Sequence, residues 1–312
     1  MGSVAVIGEV VVDAFLGGDG TRLDVRPGGG PANTAVALAR LGTPTRFLGR
    51  IGGGPFGNLL REHLVTSGVD VSGCVDAAEN ATLAVAAVDG EGEASYEFYV
   101  RGTADWQWTR EELEACFPEG VAAVHTGSLA LAMDPGGPRI EELLDRVRPA
   151  ATVSVDPNAR PGIVPPEVYR ERMRRWTRRA DIVRLSDEDL AVLGDGFDDA
   201  CAAWHDDGAA LVVLTRGADG AVASLRGERV TVPAADVDVV DTVGAGDAFM
   251  GGMLHALGPR LGGRLDDLTL GEVKAALEFA AWVAGETVKV PGADPPRPSA
   301  GAPAGPWTPA GS

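Results

Sequence analysis

Short apolar runs bounded by glycine alternate along this chain with longer stretches whose apolar positions recur every three to four residues. Val4-Ala-Val-Ile-Gly8 reads as a buried parallel strand. After Trp106 the alternation is regular. Helices are predicted over 109–116, 139–147, 165–179, 187–193 and 198–206, and strands over 122–126, 152–156, 181–185 and 210–215. A helix pattern also runs from Pro27 to Gly42, another covers 58–67, and an alanine-rich one spans 272–289. Strands alternating with helices imply a mostly parallel sheet covered on both faces. Such sheets bind ligands at the C-terminal ends of their strands, so the residues there carry the functional signal.

Two regions break this rhythm. Residues 82–88 and 93–100 alternate like strands and are joined at Asp89-Gly-Glu-Gly92, a hairpin signal. Residues 9–26 are also β-prone, interrupted by the turn-rich Gly17-Gly-Asp-Gly20. Together they form either a small separate sheet or an extension of the main one, and the glycine-rich joints favour the separate sheet. The expected organisation is an α/β core of residues 1–8, 27–72 and 104–293 with a small β unit of 9–26 and 73–103. The segment 294–312 is rich in Pro, Gly and Ala without periodicity, and disorder is expected beyond 299.

Composition narrows the partners. The chain has 312 residues and a formal net charge of −18, which argues against nucleic acid or an anionic membrane surface. Any phosphate site must draw its positive potential from helix ends, a metal ion or single arginines. Cys74, Cys116 and Cys201 are scattered, and His63, His125, His205 and His255 show no ligand spacing. With Glu9 and Asp13 inside the first apolar run and no long apolar span, a cytoplasmic protein without signal peptide or membrane helix is expected.

One stretch organises the chemistry. Val237-Asp-Val-Val-Asp241 reads as a strand, Val243-Gly-Ala-Gly246 as a turn, and Phe249, Met250, Met253, Leu254 and Leu257 as one helix face. This order aims unpaired N–H groups and the positive helix end at one point, an anion site without basic side chains. Asp247 stands at its mouth, either as a functional carboxylate or as an N-cap. Gly52-Gly-Gly-Pro-Phe-Gly57 matches a dinucleotide fingerprint in letters only, since Pro55 removes an N–H and the run does not follow the first strand. It is read as a structural turn.

The stretch Asp241-Thr-Val-Gly-Ala-Gly-Asp247 resembles the second signature of the ribokinase-like (PfkB) sugar kinases. Pro27-Gly-Gly-Gly-Pro-Ala-Asn33-Thr-Ala35 resembles the first, and the two stand in the family's order. The resemblance implies a three-layer α/β sandwich with a small β lid over the sugar, the lid being a candidate homodimer contact. It implies ATP-dependent phosphorylation of a sugar hydroxyl, with Mg²⁺ on the phosphates and K⁺ as a candidate activator. Asp247 would be the base, and the backbone of Gly244, Ala245 and Gly246 the anion hole. Asp13, Gly29, Gly30 and Asn33 would hold the sugar. Asp156-Pro-Asn-Ala-Arg160 matches a segment lining the site in fructokinase-like members, so Arg160 meets phosphate or sugar, or is salt-bridged elsewhere. Ser186-Asp-Glu-Asp189 stands where the family has Asn-x-x-Glu, which assigns Ser186 to the nucleotide and Asp189 to Mg²⁺ through water. Thr215, Gly217 and Gly220 match the nucleotide loop, and Asp241 would ligate the monovalent cation. Pro31-Ala32 before Asn33 resembles the fructokinase form, making fructose the expected substrate. Ribose, 2-keto-3-deoxygluconate and nucleosides remain as alternatives, as do a sugar-binding homologue without turnover and, from Gly52–Gly57 alone, a nicotinamide dehydrogenase.

Overall fold

The structure is a computed structural model describing residues 2–17, 20–88 and 94–297. Its strands in chain order are β1 (Val4–Ile7), β2 (Val11–Leu16), β3 (Leu23–Gly28), β4 (Thr45–Leu48), β5 (Arg50–Gly52), β6 (Val75–Ala77), β7 (Leu83–Val88), β8 (Ala94–Tyr99), β9 (Ala123–Gly127), β10 (Thr152–Asp156), β11 (Ile182–Ser186), β12 (Leu211–Thr215), β13 (Ala221–Leu225) and β14 (Glu228–Val232). The helices are α1 (Gly30–Arg40), α2 (Gly54–Thr66), α3 (Arg110–Cys116), α4 (Ser128–Ala132), α5 (Gly136–Val147), α6 (Pro166–Thr177), α7 (Asp187–Leu193), α8 (Phe197–Asp207), α9 (Ala245–Leu257) and α10 (Leu270–Thr287).

An eight-stranded sheet runs in the order β14-β13-β12-β11-β10-β9-β1-β4. It is parallel from β4 to β12, and β13 and β14 close one edge as antiparallel strands. The apolar runs produce a three-layer sandwich because successive strand residues face opposite sides. Val4 and Val6 of β1 enter a core shared with α1, α9 and α10, whereas Ala5 and Ile7 enter the core under α5, α6 and α8. Leu211 and Val213 divide from Val212 and Leu214 in the same way. Each fully buried side chain of this size is worth about 1.5–3 kcal/mol. From β1 the chain goes first to β4 on one side and later to β9 on the other. Loops therefore diverge at the C-terminal ends of β1 and β9, leaving a crevice there.

A second sheet, β3-β2-β7-β8, stands apart from the first. Three of the places where the chain crosses between the sheets, near Val10, Thr82 and Thr103, are gathered around one buried carboxylate. Asp105 accepts Val10 N–H at 2.9 Å, and Thr82 Oγ1 lies 2.6 Å from both Asp105 Oδ2 and Thr103 Oγ1. β6 pairs instead with β5 in a two-stranded sheet. The hairpin turn predicted at 89–92 and the tail beyond 297 lie outside the described residues, as do 18 and 19 of the break at 17–20.

Helix starts differ most from expectation. α2 begins at Gly54, with Pro55 in its first turn, and α5 at Gly136. A β-carbon on Gly57 would lie 1.6 Å from the Gly52 carbonyl oxygen, so that glycine serves close packing at the turn. α10 starts at a Thr269–Glu272 capping box. The strand expected over 237–241 does not form. Val240 and Asp241 both donate to the Val288 carbonyl, at 2.8 and 3.1 Å, and Val239 and Val240 are 61% and 60% exposed. Their alternation has no sheet edge to pair with.

Candidate active site

Two helix starts face each other across the crevice. α1 begins at Gly30, preceded by Gly29 at φ 105°, a conformation that favours glycine. A β-carbon on Gly29 would lie 2.6 Å from the Glu9 carbonyl oxygen, and one on Gly30 would lie 2.5 Å from Asn158 Nδ2 and 3.2 Å from Asp247 Oδ1. The glycines of the first motif thus let the backbone pass close to the opposing side chains.

α9 begins after Gly244, whose φ of 75° is left-handed and whose missing β-carbon makes room for Ala293. Ala245 N–H turns to the Thr242 carbonyl at 3.2 Å, whereas the N–H groups of Gly246 and Asp247 find no acceptor among the described residues. The Gly244 N–H likewise finds no acceptor among the described residues, so of the anion hole expected from Gly244 to Asp247 only the Ala245 N–H is taken up. Asp247 is in the first turn of α9 and does not cap it: the N-cap is Gly244, with no side-chain cap.

Asp247 is held from α1. Asn33 Nδ2 donates to its Oδ2 at 2.8 Å, and Thr34 Oγ1 donates to its carbonyl at 3.3 Å. Burial pushes its carboxyl up to about 7; Asp156 raises it further, while the Asn33 bond, Arg184 and Arg160 oppose the shift. A carboxylate poised near neutrality, with one oxygen anchored, suits proton removal. Asp13 on β2 sits over Gly28, where a β-carbon would come 2.0 Å from its Oδ2. Burial pushes Asp13 up to about 6, opposed by Arg160. Arg160 is exposed and donates to the Asn158 and Ala159 carbonyls at 3.2 and 3.0 Å, so its fork stays beside its own loop.

The crevice floor contains His125 and Ser128, which the sequence pattern concealed. His125, Ser128 and Asn158 line it together with Gly30 and Asp247. His125 is buried, accepts or donates with Ser154 Oγ at 3.2 Å, and is held near 3 by burial, hence neutral. Ser128 and Asn158 have φ of 52° and 38°, which strains Ser128 in particular. Asp156 accepts Arg184 Nη1 at 2.8 Å in a buried pair. No motif pointed to Arg184, because one charge inside an apolar strand leaves no periodic trace.

The predicted nucleotide residues cluster at the next strand ends. Gly217 and Gly220 have φ of 50° and 79°, and Arg216 N–H closes the loop on the Gly220 carbonyl at 2.8 Å. Thr215 Oγ1 accepts Arg184 Nη2. Ser186 and Asp189 differ from expectation. They form a capping box on α7, and Asp189 Oδ1 also accepts Ala159 N–H at 2.6 Å. Asp189 is 4% exposed and ties α7 to the loop carrying Arg160 rather than opening toward an ion. Asp241 accepts Val243 N–H at 3.0 Å and Gly292 N–H at 2.7 Å, which fixes the loop before α9.

The family model for pfkB family carbohydrate kinases matches residues 1–300. The chain belongs to the PfkB carbohydrate kinase family. It is accordingly an ATP-dependent sugar kinase. A fructokinase of Rhizobium leguminosarum bv. trifolii is 40% identical over 257 residues, covering 81% of this chain and 76% of the relative. The structure of a Xylella fastidiosa fructokinase with bound ATP is similar at TM-score 0.86 and 29% identity, covering 93% of both chains. A Vibrio cholerae fructokinase double mutant, bound to fructose, ADP and potassium ion, is similar at TM-score 0.80 and 28% identity over 94% of both chains.

Proposed function

We propose that this PfkB kinase transfers the γ-phosphoryl group of ATP to fructose, giving fructose 6-phosphate. The observation that carries the chemistry is Asp247, anchored by Asn33 at 2.8 Å, beside unpaired N–H groups of the α9 first turn. Phosphoryl transfer asks the protein mainly for alignment and charge stabilisation. Asp13, Gly29, Gly30 and Asn33 orient the sugar, with Arg160 at the rim. Asp247 takes the proton as the hydroxyl oxygen forms its bond to phosphorus and the bond to the ADP oxygen breaks. The N–H groups of Gly246 and Asp247 receive charge on the transferring group. Thr215, Gly217 and Gly220 contact the nucleotide.

The described residues include no cluster of three His, Cys, Asp or Glu able to cage a metal ion. Mg²⁺ commonly binds through substrate phosphates and retained waters. Mg²⁺ would be held chiefly by the ATP phosphates and water, where it would offset charge on the transferring group. K⁺ beside Asp241 is supported by the potassium-bound Vibrio cholerae fructokinase. The second sheet acts as the lid, with Asp13 and Phe98 facing the sugar, as the β2–β7–β8 register aligns them. Leu23, Val25 and Tyr99 are exposed on the lid, which supports pairing with a second copy.

Fructose is favoured because Asp13 and Asp247 confront the sugar with two carboxyls and no lysine, a poor setting for a phosphorylated acceptor. The Arg160 guanidinium supports a second reading, a sugar acid such as 2-keto-3-deoxygluconate. ATP consumption with fructose, ribose, adenosine, fructose 6-phosphate and 2-keto-3-deoxygluconate separates these. Fructose should give the highest kcat/KM; a higher value for any other acceptor overturns the substrate assignment.

A further inference from the structure

Arg184 interrupts the apolar strand β11, and its side chain is only 6% exposed. A buried cation is costly unless paired and hydrogen-bonded, and this one is spread over three elements. Nη1 donates to Asp156 Oδ2 at 2.8 Å, at the end of β10 before the Asn158–Arg160 loop. Nη2 donates to Thr215 Oγ1 at 2.5 Å, at the end of β12 before the glycine loop. A β-carbon on Gly246 would lie 2.7 Å from Nη2 and 2.9 Å from Nη1. The guanidinium therefore lies against the backbone of the α9 first turn. Nε has no partner among the described residues, so these contacts do not exhaust its donors.

We propose that Arg184 is a positioning residue for phosphoryl transfer: its fixed charge behind Gly246 holds the α9 first turn and offsets the negative charge that gathers there. The proposal rests on the kinase reading given above. In a chain of net charge −18, the helix end alone would have to oppose Asp156, Asp247 and the triphosphate. The groups facing Asp247 are Asn33 and Thr34 from α1, the neutral His125 from β9, Asp156 from β10, Asn158 and Arg160 from the following loop and Arg184 from β11. Of the two cations only Arg184 is buried, so it is screened less by water and salt. The same guanidinium ties the sugar-side loop to the nucleotide loop, setting the distance between the two substrates. A purely structural ion pair would matter for melting and leave the chemistry of folded enzyme unchanged.

Wild type, Arg184→Lys and Arg184→Gln are compared with ATP and whichever sugar the wild type turns over fastest. The measurements are Tm, kcat, both KM values and the pH profile of kcat/KM. Arg184→Gln should lose kcat by about 10² or more, as losing one donor or charge at an anion hole does. Its sugar KM should stay within about threefold, and its acid limb should move up by about one pH unit, because a stabilising cation has left Asp247. Arg184→Lys keeps the charge and should hold the limb in place with less than about tenfold loss of kcat. A folded Arg184→Gln with kcat within threefold and an unmoved limb overturns the proposal. Should Arg184→Gln not fold, Arg184→Lys decides: a displaced limb or a hundredfold loss despite the retained charge overturns it. A wild type inert toward every sugar sinks the kinase reading itself, which separates that failure from this one.

Discussion

Replacing Asp105 by Asn tests whether the joint between the two sheets is held by a protonated acid. Asp105 is 1% exposed, and burial pushes its carboxyl up to about 7. Proton counting agrees. Asp105 Oδ2, Thr82 Oγ1, Thr103 Oγ1 and the Val100 carbonyl make successive contacts of 2.6, 2.6 and 3.0 Å. Three contacts need three protons, and the two hydroxyls supply two, so the third belongs to Asp105. A carboxyl whose folded value lies above its unfolded value keeps its proton longer in the folded state. Its contribution to stability is therefore full at low pH and declines as pH rises from the unfolded value toward about 7. With an unfolded value of about 3.9, the decline between pH 5 and pH 8 comes to about 2–3 kcal/mol. Asn presents the same donor and acceptor at every pH, to Thr82 and to Val10 N–H. Asp105→Asn should thus gain about 2–3 kcal/mol relative to wild type between pH 5 and pH 8, about 3–5 °C in Tm for a chain of this size. Differential scanning calorimetry of both proteins at the two pH values gives the double difference, from which Asp13 and Asp247 cancel; Glu9, whose charge acts on Asp105, contributes through that coupling. An equal Tm offset at pH 5 and pH 8 refutes the protonated clamp.

Two further outcomes follow from the crevice. With Asp247 pushed up to about 7, kcat/KM for the sugar should fall about tenfold per pH unit below that value, since the base must be free of its proton; a flat profile from pH 5 to 8 contradicts this. Gly30→Ala puts a β-carbon 2.5 Å from Asn158 Nδ2 and 3.2 Å from Asp247 Oδ1. Because displacing the base by about 1 Å costs about 10² in rate, kcat should drop by that order while Tm stays within a few degrees; unchanged kinetics would show that Gly30 is not close-packed.

Much of the fold was legible because parallel strands and covering helices have different hydrophobic periods. Strand Thr152–Asp156 and helix Asp187–Leu193 form over the residues their patterns predicted. Valine-rich 237–241 misled because alternation cannot show whether a sheet edge lies alongside. Helix starts at Gly54 and Gly136 were missed since glycine and proline there read as loop. At the site, glycine-rich motifs were visible as local sequence, and the structure brings Gly30, Asn33 and Asp247 together from helix starts distant in the chain. Arg184, His125 and Ser128 were not visible, because their roles depend on neighbouring strands rather than on their own. The inward turn of Asp189 was hidden for the same reason: its partners are Ser186 and the Ala159 N–H across the loop.

Asp247 is placed to accept the proton from the sugar hydroxyl. Asp247→Asn tests this role cleanly because Gly244, not Asp247, is the N-cap, so no capping interaction is lost. Asn at 247 can still accept from Asn33 Nδ2, and it removes a buried acid without changing size. The measurement is steady-state kcat of Asp247→Asn with ATP and the preferred sugar, alongside its Tm and substrate affinities by calorimetry. Asp247→Asn should fold as wild type does, bind with near wild-type affinities and have a kcat lower by about 10² or more. A folded Asp247→Asn that keeps kcat within a few-fold of wild type contradicts this role.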